Sequence, residues 1–524
     1  MSSNDFGRLK VYARPSAIVI NHYRKRQCYA LEKMLAVWDM AQNRYTQFLY
    51  EFEAEDDKID PNYGILKVPR GLGVDTVLSA LDGAGLEYDF VDQTNDYKYY
   101  RGINIEMQLP PKNQIQEDSV KFLKDTLYHD HQAFLALDVG MGKTYCATYH
   151  VAESRKATLI VSYNLAYQWE TRMQEYSTLV SGDERGGLVN IVGAQYFENC
   201  VAGKIKPTAA VYLTTIGTLH SYQKLHGKGS LQDIVKALGI GIKVFDEAHN
   251  RYLQFNSIDL NMQTDETIYL SATPGRSVKT EDRMFSKIYK GVPAYGSYTA
   301  QYNDFYVIKY ITFDSRSTVE DRASFKTPRG LNSLKYMRYL FDKWGDTILD
   351  MVMLYAEPIL KENPDGKLLI VTDWVKDIAH IKEWLNQKHP EYSVGTYCQL
   401  VQKKEDKEKE LNNRIIVGTI GSMQNGKDIA NLQIIFPLTM FSSSIVTRQL
   451  LGRLRPLKDK NVYYFDIADL SVSSIMQQRR ERDSVLRARA MGGNIENDRI
   501  DLDRIGGISP DWESDSFIYY KKAS

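Results

Sequence analysis

Residues 133–144 read Ala-Phe-Leu-Ala-Leu-Asp-Val-Gly-Met-Gly-Lys-Thr, and residues 145–152 continue Tyr-Cys-Ala-Thr-Tyr-His-Val-Ala. The apolar run 133–137 has the length of a buried strand, and the stretch after Thr144 is compatible with a helix. Gly140 and Gly142 lie between them, followed by Lys143 and Thr144. Strand, glycine loop and helix, in that order, make a phosphate-binding loop. Glycines let backbone N–H groups turn inward and approach phosphate oxygens closely. The helix N-terminus adds partial positive charge. Gly140, Met141 and Gly142 would cradle the phosphates, Lys143 would reach the β- and γ-phosphates, and Thr144 would ligate magnesium. Leu137 stands where the usual loop has its first glycine.

Residues 242–247 read Ile-Lys-Val-Phe-Asp-Glu. Ile242, Val244 and Phe245 suit a strand buried on both faces, with Lys243 the exception. Open parallel sheets bind ligands at the carboxyl ends of their strands, which is where Asp246 and Glu247 would emerge. Asp246 would hold magnesium, directly or through water, and Glu247 would orient and deprotonate an attacking water. A glycine loop with a strand-ended Asp-Glu downstream is the order of an ATP-hydrolysing domain. ATP and Mg2+ are the expected cofactors.

Asp246-Glu247-Ala248-His249 is also a DEAH box, and the chain resembles the superfamily 2 helicases and translocases from about residue 110 to 466. Gln116 lies upstream of the loop, where that family carries an adenine-reading glutamine, with Gln114 the competing choice. Residues 159–169 (Leu-Ile-Val-Ser-Tyr-Asn-Leu-Ala-Tyr-Gln-Trp) are similar to motif Ia, whose strand end touches the nucleic-acid backbone. Residues 212–219 are similar to the next strand-end motif. The resemblance implies nucleic-acid contacts at Tyr163 and Thr215 in the first half and at Thr372 and Thr419 in the second. Ser271-Ala-Thr273-Pro matches motif III, which couples hydrolysis to strand movement in the family. Ser271, Thr273, His249 and Gln449 are the coupling residues it implies. Residues 415–428 resemble motif V and would bring Gly426 and Asp428 to the nucleotide. Residues 449–455 (Gln-Leu-Leu-Gly-Arg-Leu-Arg) resemble motif VI. Its second arginine usually follows the first by three; here Arg455 follows Arg453 by two and Pro456 takes the usual place. Either arginine could stabilise charge on the transferring phosphoryl group.

The fold class expected is α/β, with two tandem RecA-like doubly wound parallel-sheet lobes and a small N-terminal α+β accessory domain. Strand-like segments recur at 133–137, 158–161, 210–214, 242–245 and 267–270, then at 367–372, 394–398, 414–418, 432–436 and 462–465. The pattern breaks between 291 and 307. The expected divisions are an accessory, DNA-binding domain at 1–108, a first lobe at 109–300, a second at 301–498 and a tail at 499–524. The nucleotide would lie in a cleft between the lobes. Residues 403–410 are a mixed-charge run expected to be a solvated helix. Residues 477–489 carry Arg479, Arg480, Arg482, Arg487 and Arg489 with few acids, and a phosphate-contacting helix or a plain exposed face fits them equally.

The N-terminal region has no nucleotide motif. It carries the basic cluster His22-Tyr-Arg-Lys-Arg26 and the run Pro69-Arg70-Gly71. An accessory module before a DEAH core is similar to the layout of the XPB-like and UvsW-like repair and recombination helicases. That resemblance implies Arg24, Arg26 and Arg70 as DNA contacts.

Composition sets bounds. Lys plus Arg and Asp plus Glu are 66 each in 524 residues, so the net charge is zero and nucleic-acid binding must come from local patches and backbone N–H groups. The four cysteines are scattered without a Cys-x-x-Cys pair, so neither zinc nor a disulfide framework is expected. Cys146, just past the loop, is a candidate for oxidation. No apolar run approaches membrane-spanning length, and the start has no secretory pattern. A cytoplasmic protein is expected, acting in a host cell if the chain is viral. The leading functional expectation is an ATP-dependent DNA helicase or branched-DNA translocase in repair, recombination or replication. A duplex translocase that does not unwind, an RNA helicase and a nucleotide-dependent scaffold are the alternatives.

Overall fold

The computed structural model describes residues 8–39, 44–56, 58–137, 140–162, 166–182, 186–272, 279–296, 305–327, 330–398, 401, 404–424, 429–455, 457, 459–490 and 494–507. The chain divides into two compact units, residues 1–298 and 299–524. Each is built on a parallel sheet between helices, a mixed α/β architecture.

In the first unit the main sheet has eight strands. Their order is Val180–Ser181, Gly187–Ile191, Val211–Thr215, Thr158–Ser162, Ile242–Phe245, Glu266–Ser271, Gln132–Ala136 and Ala294–Tyr295, and every pairing is parallel. Strands such as Thr158–Ser162 are buried at every residue because helices cover both faces. The glycine-loop strand and the Asp-Glu strand are separated only by Glu266–Ser271. All three therefore deliver their carboxyl ends to one edge of the core.

A second sheet, in the order Glu51–Ala54, Tyr63–Pro69, Ala17–Arg24, Leu9–Ala13 and Tyr88–Asp92, forms the N-terminal module of the same unit. It is docked on the main sheet by close backbone approach and by a buried polar cluster. Gly71 carries part of the approach: a Cβ there would lie 2.1 Å from Ile288 O, and the Gly291 N–H donates to Gly71 O at 2.7 Å. The cluster centres on Lys243, the one charged residue of the Asp-Glu strand, which is fully buried. Its ammonium lies 2.6 Å from Asp259 Oδ1 and donates to Ser16 Oγ of the module at 2.8 Å and to Met262 O. Lys67 of the module reaches Asn261 Oδ1 at 2.7 Å.

In the second unit a seven-stranded sheet runs Val394–Tyr397, Ile415–Thr419, Lys367–Thr372, Leu432–Leu438, Val462–Asp469, Tyr306–Phe313 and Asn494–Arg499, again all parallel. The arginine-rich segment lies in helix Ser473–Arg489. Arg479 and Arg482 are neither phosphate-facing nor exposed. Both are buried against the Asp466 carboxylate, at 2.7 Å each, and Arg479 also donates to Ile311 O at 2.7 Å. They fasten the helix to the sheet. The mixed-charge run forms helix Lys404–Leu411. Among the described residues no helix is long and apolar enough to cross a membrane.

Candidate active site

The strand Gln132–Ala136 ends at the glycine loop, and helix Lys143–Ser154 starts from it. Gly140 and Gly142 have φ of +87° and +97°, a region that side chains with a Cβ rarely adopt. A Cβ on Gly142 would also lie 2.3 Å from Gln116 Nε2. Lys143 stands at the first helical position, and its ammonium donates to Leu137 O at 2.8 Å. Two of the three ammonium protons remain beyond that bond. Leu137, at the place of the missing first glycine, thus supplies a carbonyl that holds the lysine across the loop.

Gln116 and Gln114 separate cleanly. Both lie in helix Gln114–Asp130, whose N-cap Asn113 accepts the Gln116 N–H at 3.1 Å. Gln114 is exposed and bonds to Asp118 Oδ1 at 2.9 Å. Gln116 is buried on the loop, with its amide donating to Met141 O at 3.4 Å and accepting the Lys112 N–H at 2.9 Å. Only Gln116 touches the glycine loop.

Asp246 follows the strand Ile242–Phe245. Its Oδ2 accepts the Trp169 indole N–H at 2.8 Å, and its Oδ1 accepts the Glu247 N–H at 3.0 Å. Burial, with the neighbouring Glu247 charge, pushes its carboxyl up to about 6, while the Trp169 donor and the Lys143 charge pull it down. Glu247 sits at φ +51°, a left-handed conformation that costs a residue with a Cβ about 1–2 kcal/mol. The bend lets the Ala248 N–H bond to Leu270 O at 2.8 Å, tying the turn to the neighbouring strand. Behind it, buried His249 places Nδ1 2.8 Å from Ser271 Oγ and 3.2 Å from Glu247 Oε2. One ring proton cannot serve both, so the ring is a shared contact between the Asp-Glu turn and the end of the intervening strand.

A hard divalent cation such as Mg2+ prefers oxygen donors, and carboxylates are its usual protein ligands. The carboxylates of Asp246 and Glu247 supply such oxygens, and Thr144 follows Lys143 in the first turn of the loop helix. Magnesium thus fits the residues present.

The remaining residues named from the sequence divide as follows. Thr215 ends its strand in register with Ser162 and caps helix Ile216–His226, accepting the Thr218 N–H at 3.2 Å. Thr372 and Thr419 are register partners at the ends of adjacent strands. The Thr372 side chain is fully buried and donates to Asp377 Oδ2 at 2.9 Å, which removes it as a surface contact. Thr419 is half-buried and donates to Ser422 Oγ at 3.0 Å. Gln449 and Arg453 are buried in the second unit, with Arg453 Nε donating to Met423 O at 2.5 Å, and Arg455 is half-buried. Arg24 pairs with Asp60 at 2.8 Å, and Arg26 is exposed at a left-handed turn. Arg70 is half-buried, burial lowers its pKa, and Asp92, Asp130 and Asp75 oppose the loss. Cys146 is buried and its thiol is pushed up to about 12, so it is shielded from oxidation rather than primed for it. Tyr163, Thr273, Gly426 and Asp428 lie outside the described residues. Trp169 was quoted in the sequence without a role at the carboxylates; its helix had to be placed beside the Asp-Glu strand before that contact could be seen.

Residues 109–276 match the family described as Type III restriction enzyme, res subunit. No curated protein matches the chain. Among solved structures, the chain is similar to Dbp5 of S. cerevisiae bound to RNA and ADP BeF3, at 15% identity and TM-score 0.49, covering 76% of this chain and 91% of that one. It is similar to UvsW of T4 at 14% identity and TM-score 0.34, covering 95% and 100%. It is also similar to the Hef helicase domain of Pyrococcus furiosus at 14% identity and TM-score 0.44, covering 71% and 98%.

Proposed function

We propose that this chain, a superfamily 2 helicase-type ATPase by its first lobe, hydrolyses ATP with magnesium to drive movement along DNA. The support for this reading is that Lys143 follows the glycine-loop strand while Asp246 and Glu247 follow a strand two places along the same parallel sheet, so all three stand at carboxyl ends on one edge. Lys143 would bind the β- and γ-phosphates, and Thr144 and Asp246 would hold the ion. Magnesium, when bound, would screen charge on the phosphates. Glu247 would accept the proton of the attacking water, and Gln116, buried on the glycine loop, would meet the adenine. Arg453 and Arg455 are the candidates for stabilising the transferring phosphoryl group.

The choice of DNA rests on the DEAH box and on the N-terminal module before the core. Sequence-independent grip on a sugar-phosphate backbone suits strand ends such as Thr215 and Thr419. The coupled hypotheses separate in one panel. ATP turnover is measured with no polymer, single-stranded DNA, duplex DNA, forked DNA and RNA. Stimulation by DNA is expected, and stimulation by RNA alone would overturn the DNA assignment. Strand displacement on the fork then distinguishes a helicase from a duplex translocase.

A further inference from the structure

The Asp246 carboxylate is held by two donors, and one of them comes from a distant stretch of chain. The Glu247 N–H is the local donor, at 3.0 Å to Oδ1. The Trp169 indole N–H is the other, at 2.8 Å to Oδ2. Trp169 is only 2% exposed and belongs to helix Ala166–Tyr176. That helix follows strand Thr158–Ser162, which lies directly beside the Asp-Glu strand with Val161 opposite Phe245. The Asp246 N–H also donates to Val161 O at 3.0 Å. Two successive pieces of one segment, a strand and the helix after it, therefore grip Asp246 through its backbone and through its carboxylate.

The choice of an indole matters. Tryptophan is a neutral donor without an acceptor, and a buried indole N–H needs a partner. A lysine or arginine there would neutralise the carboxylate and compete with a cation. The indole instead orients the carboxylate and leaves its charge and its other lone pairs in place. That is how groups behind a metal ligand behave: they fix its direction without replacing it.

We infer that Trp169 is a positioning residue that sets the Asp246 carboxylate for the cation and links strand Thr158–Ser162 and helix Ala166–Tyr176 to that ion. The inference rests on the reading of Asp246 as a magnesium ligand in a nucleic-acid-driven ATPase. Its consequence concerns regulation. The sequence resemblance implies a nucleic-acid contact after strand Thr158–Ser162, and such a contact would act on the helix that carries the indole. A rigid shift of about an ångström moves the donor relative to Oδ2 and changes how well the carboxylate meets the ion, because hydrogen bonds weaken steeply with distance and angle. Polymer binding and hydrolysis are then joined through one buried hydrogen bond.

The test uses the full chain and Trp169→Phe, which keeps an aromatic ring and removes the donor. Mn2+ binding to the ADP-loaded protein is measured by electron paramagnetic resonance, and ATP turnover with and without single-stranded DNA is measured beside it. The expected result is an Mn2+ affinity lower by about 10–100-fold and a DNA stimulation ratio that falls toward one. A purely structural tryptophan would lower the melting temperature and leave both readings unchanged. A folded Trp169→Phe protein with unchanged Mn2+ affinity and unchanged stimulation overturns the inference while the functional reading stands. No Mn2+ binding and no turnover in the unsubstituted chain overturns the functional reading and the inference together. A second reading needs no variant: of the six tryptophan indole N–H resonances of the native chain, one should shift with Mg2+ and ADP and shift again with DNA. Six unmoved resonances overturn the inference.

Discussion

Replacing Lys243 by methionine should destabilise the first unit by about 3–5 kcal/mol, the usual cost of breaking a buried ion pair by removing one partner. Lys243 has no exposed surface, and its ammonium sits 2.6 Å from Asp259 Oδ1. Burial lowers its pKa and the Asp259 charge opposes that loss, so the pair persists through mutual attraction. Methionine fills similar volume, so little of the penalty comes from a cavity. It leaves the Asp259 carboxylate, 6% exposed, without its ammonium partner and beside the Tyr269 hydroxyl. It also strips a partner from Ser16 Oγ, the module's contact with the sheet, leaving the Thr267 hydroxyl at 3.1 Å. Urea unfolding followed by circular dichroism measures the loss. The double variant Lys243→Met with Asp259→Asn should recover much of the stability, because it removes the stranded charge. A single variant within about 0.5 kcal/mol of the native protein would refute the argument, since that is the range of an ordinary surface substitution.

Three further outcomes follow from the same geometry. Glu247→Gln should slow ATP turnover by about a hundred- to ten-thousand-fold while nucleotide binding persists, as read by turnover beside fluorescent-nucleotide titration. Gly142→Ala forces a Cβ into a left-handed backbone and to 2.3 Å from Gln116 Nε2, so nucleotide affinity should fall about tenfold or more in a protein that still melts cooperatively. Glu266 gives a pH dependence: burial alone would raise its carboxyl, but His150 at 2.6 Å and the Lys156 charge outweigh it and hold it below the usual range. A depressed carboxyl contributes stability above its unfolded pKa of about 4.3 and loses it as pH falls through the folded value. Glu266→Gln should therefore lower stability at pH 7 and flatten the acid limb of a melting-temperature profile; an acid limb identical to the native one would count against that network.

The parallel core was legible because its strands are largely apolar, as in 159–161 and 368–371, and because Gly140, Gly142 and Asp246-Glu247 sit at fixed positions relative to them. The strand Asn494–Arg499 was not legible: its sequence, Asn-Ile-Glu-Asn-Asp-Arg, is polar because it is an edge strand with no fully buried residue. The arginines of 473–489 misled for a related reason. Periodicity shows that a helix carries charge but not which charges point inward, and only Asp466 on the neighbouring strand explains why Arg479 and Arg482 do. Lys243 looked like a flaw in a buried strand, and its partners lie elsewhere in the chain, at Ser16 and Asp259. Trp169 belongs with them, since a contact between residues 169 and 246 leaves no trace in local pattern.

The most direct test of the account is steady-state ATP hydrolysis by the native chain and by Lys143→Ala, each with and without single-stranded DNA at fixed magnesium. The account predicts turnover that DNA raises and that the substitution abolishes under both conditions. Turnover in Lys143→Ala equal to that of the native chain, or no turnover in the native chain with any polymer, would contradict it.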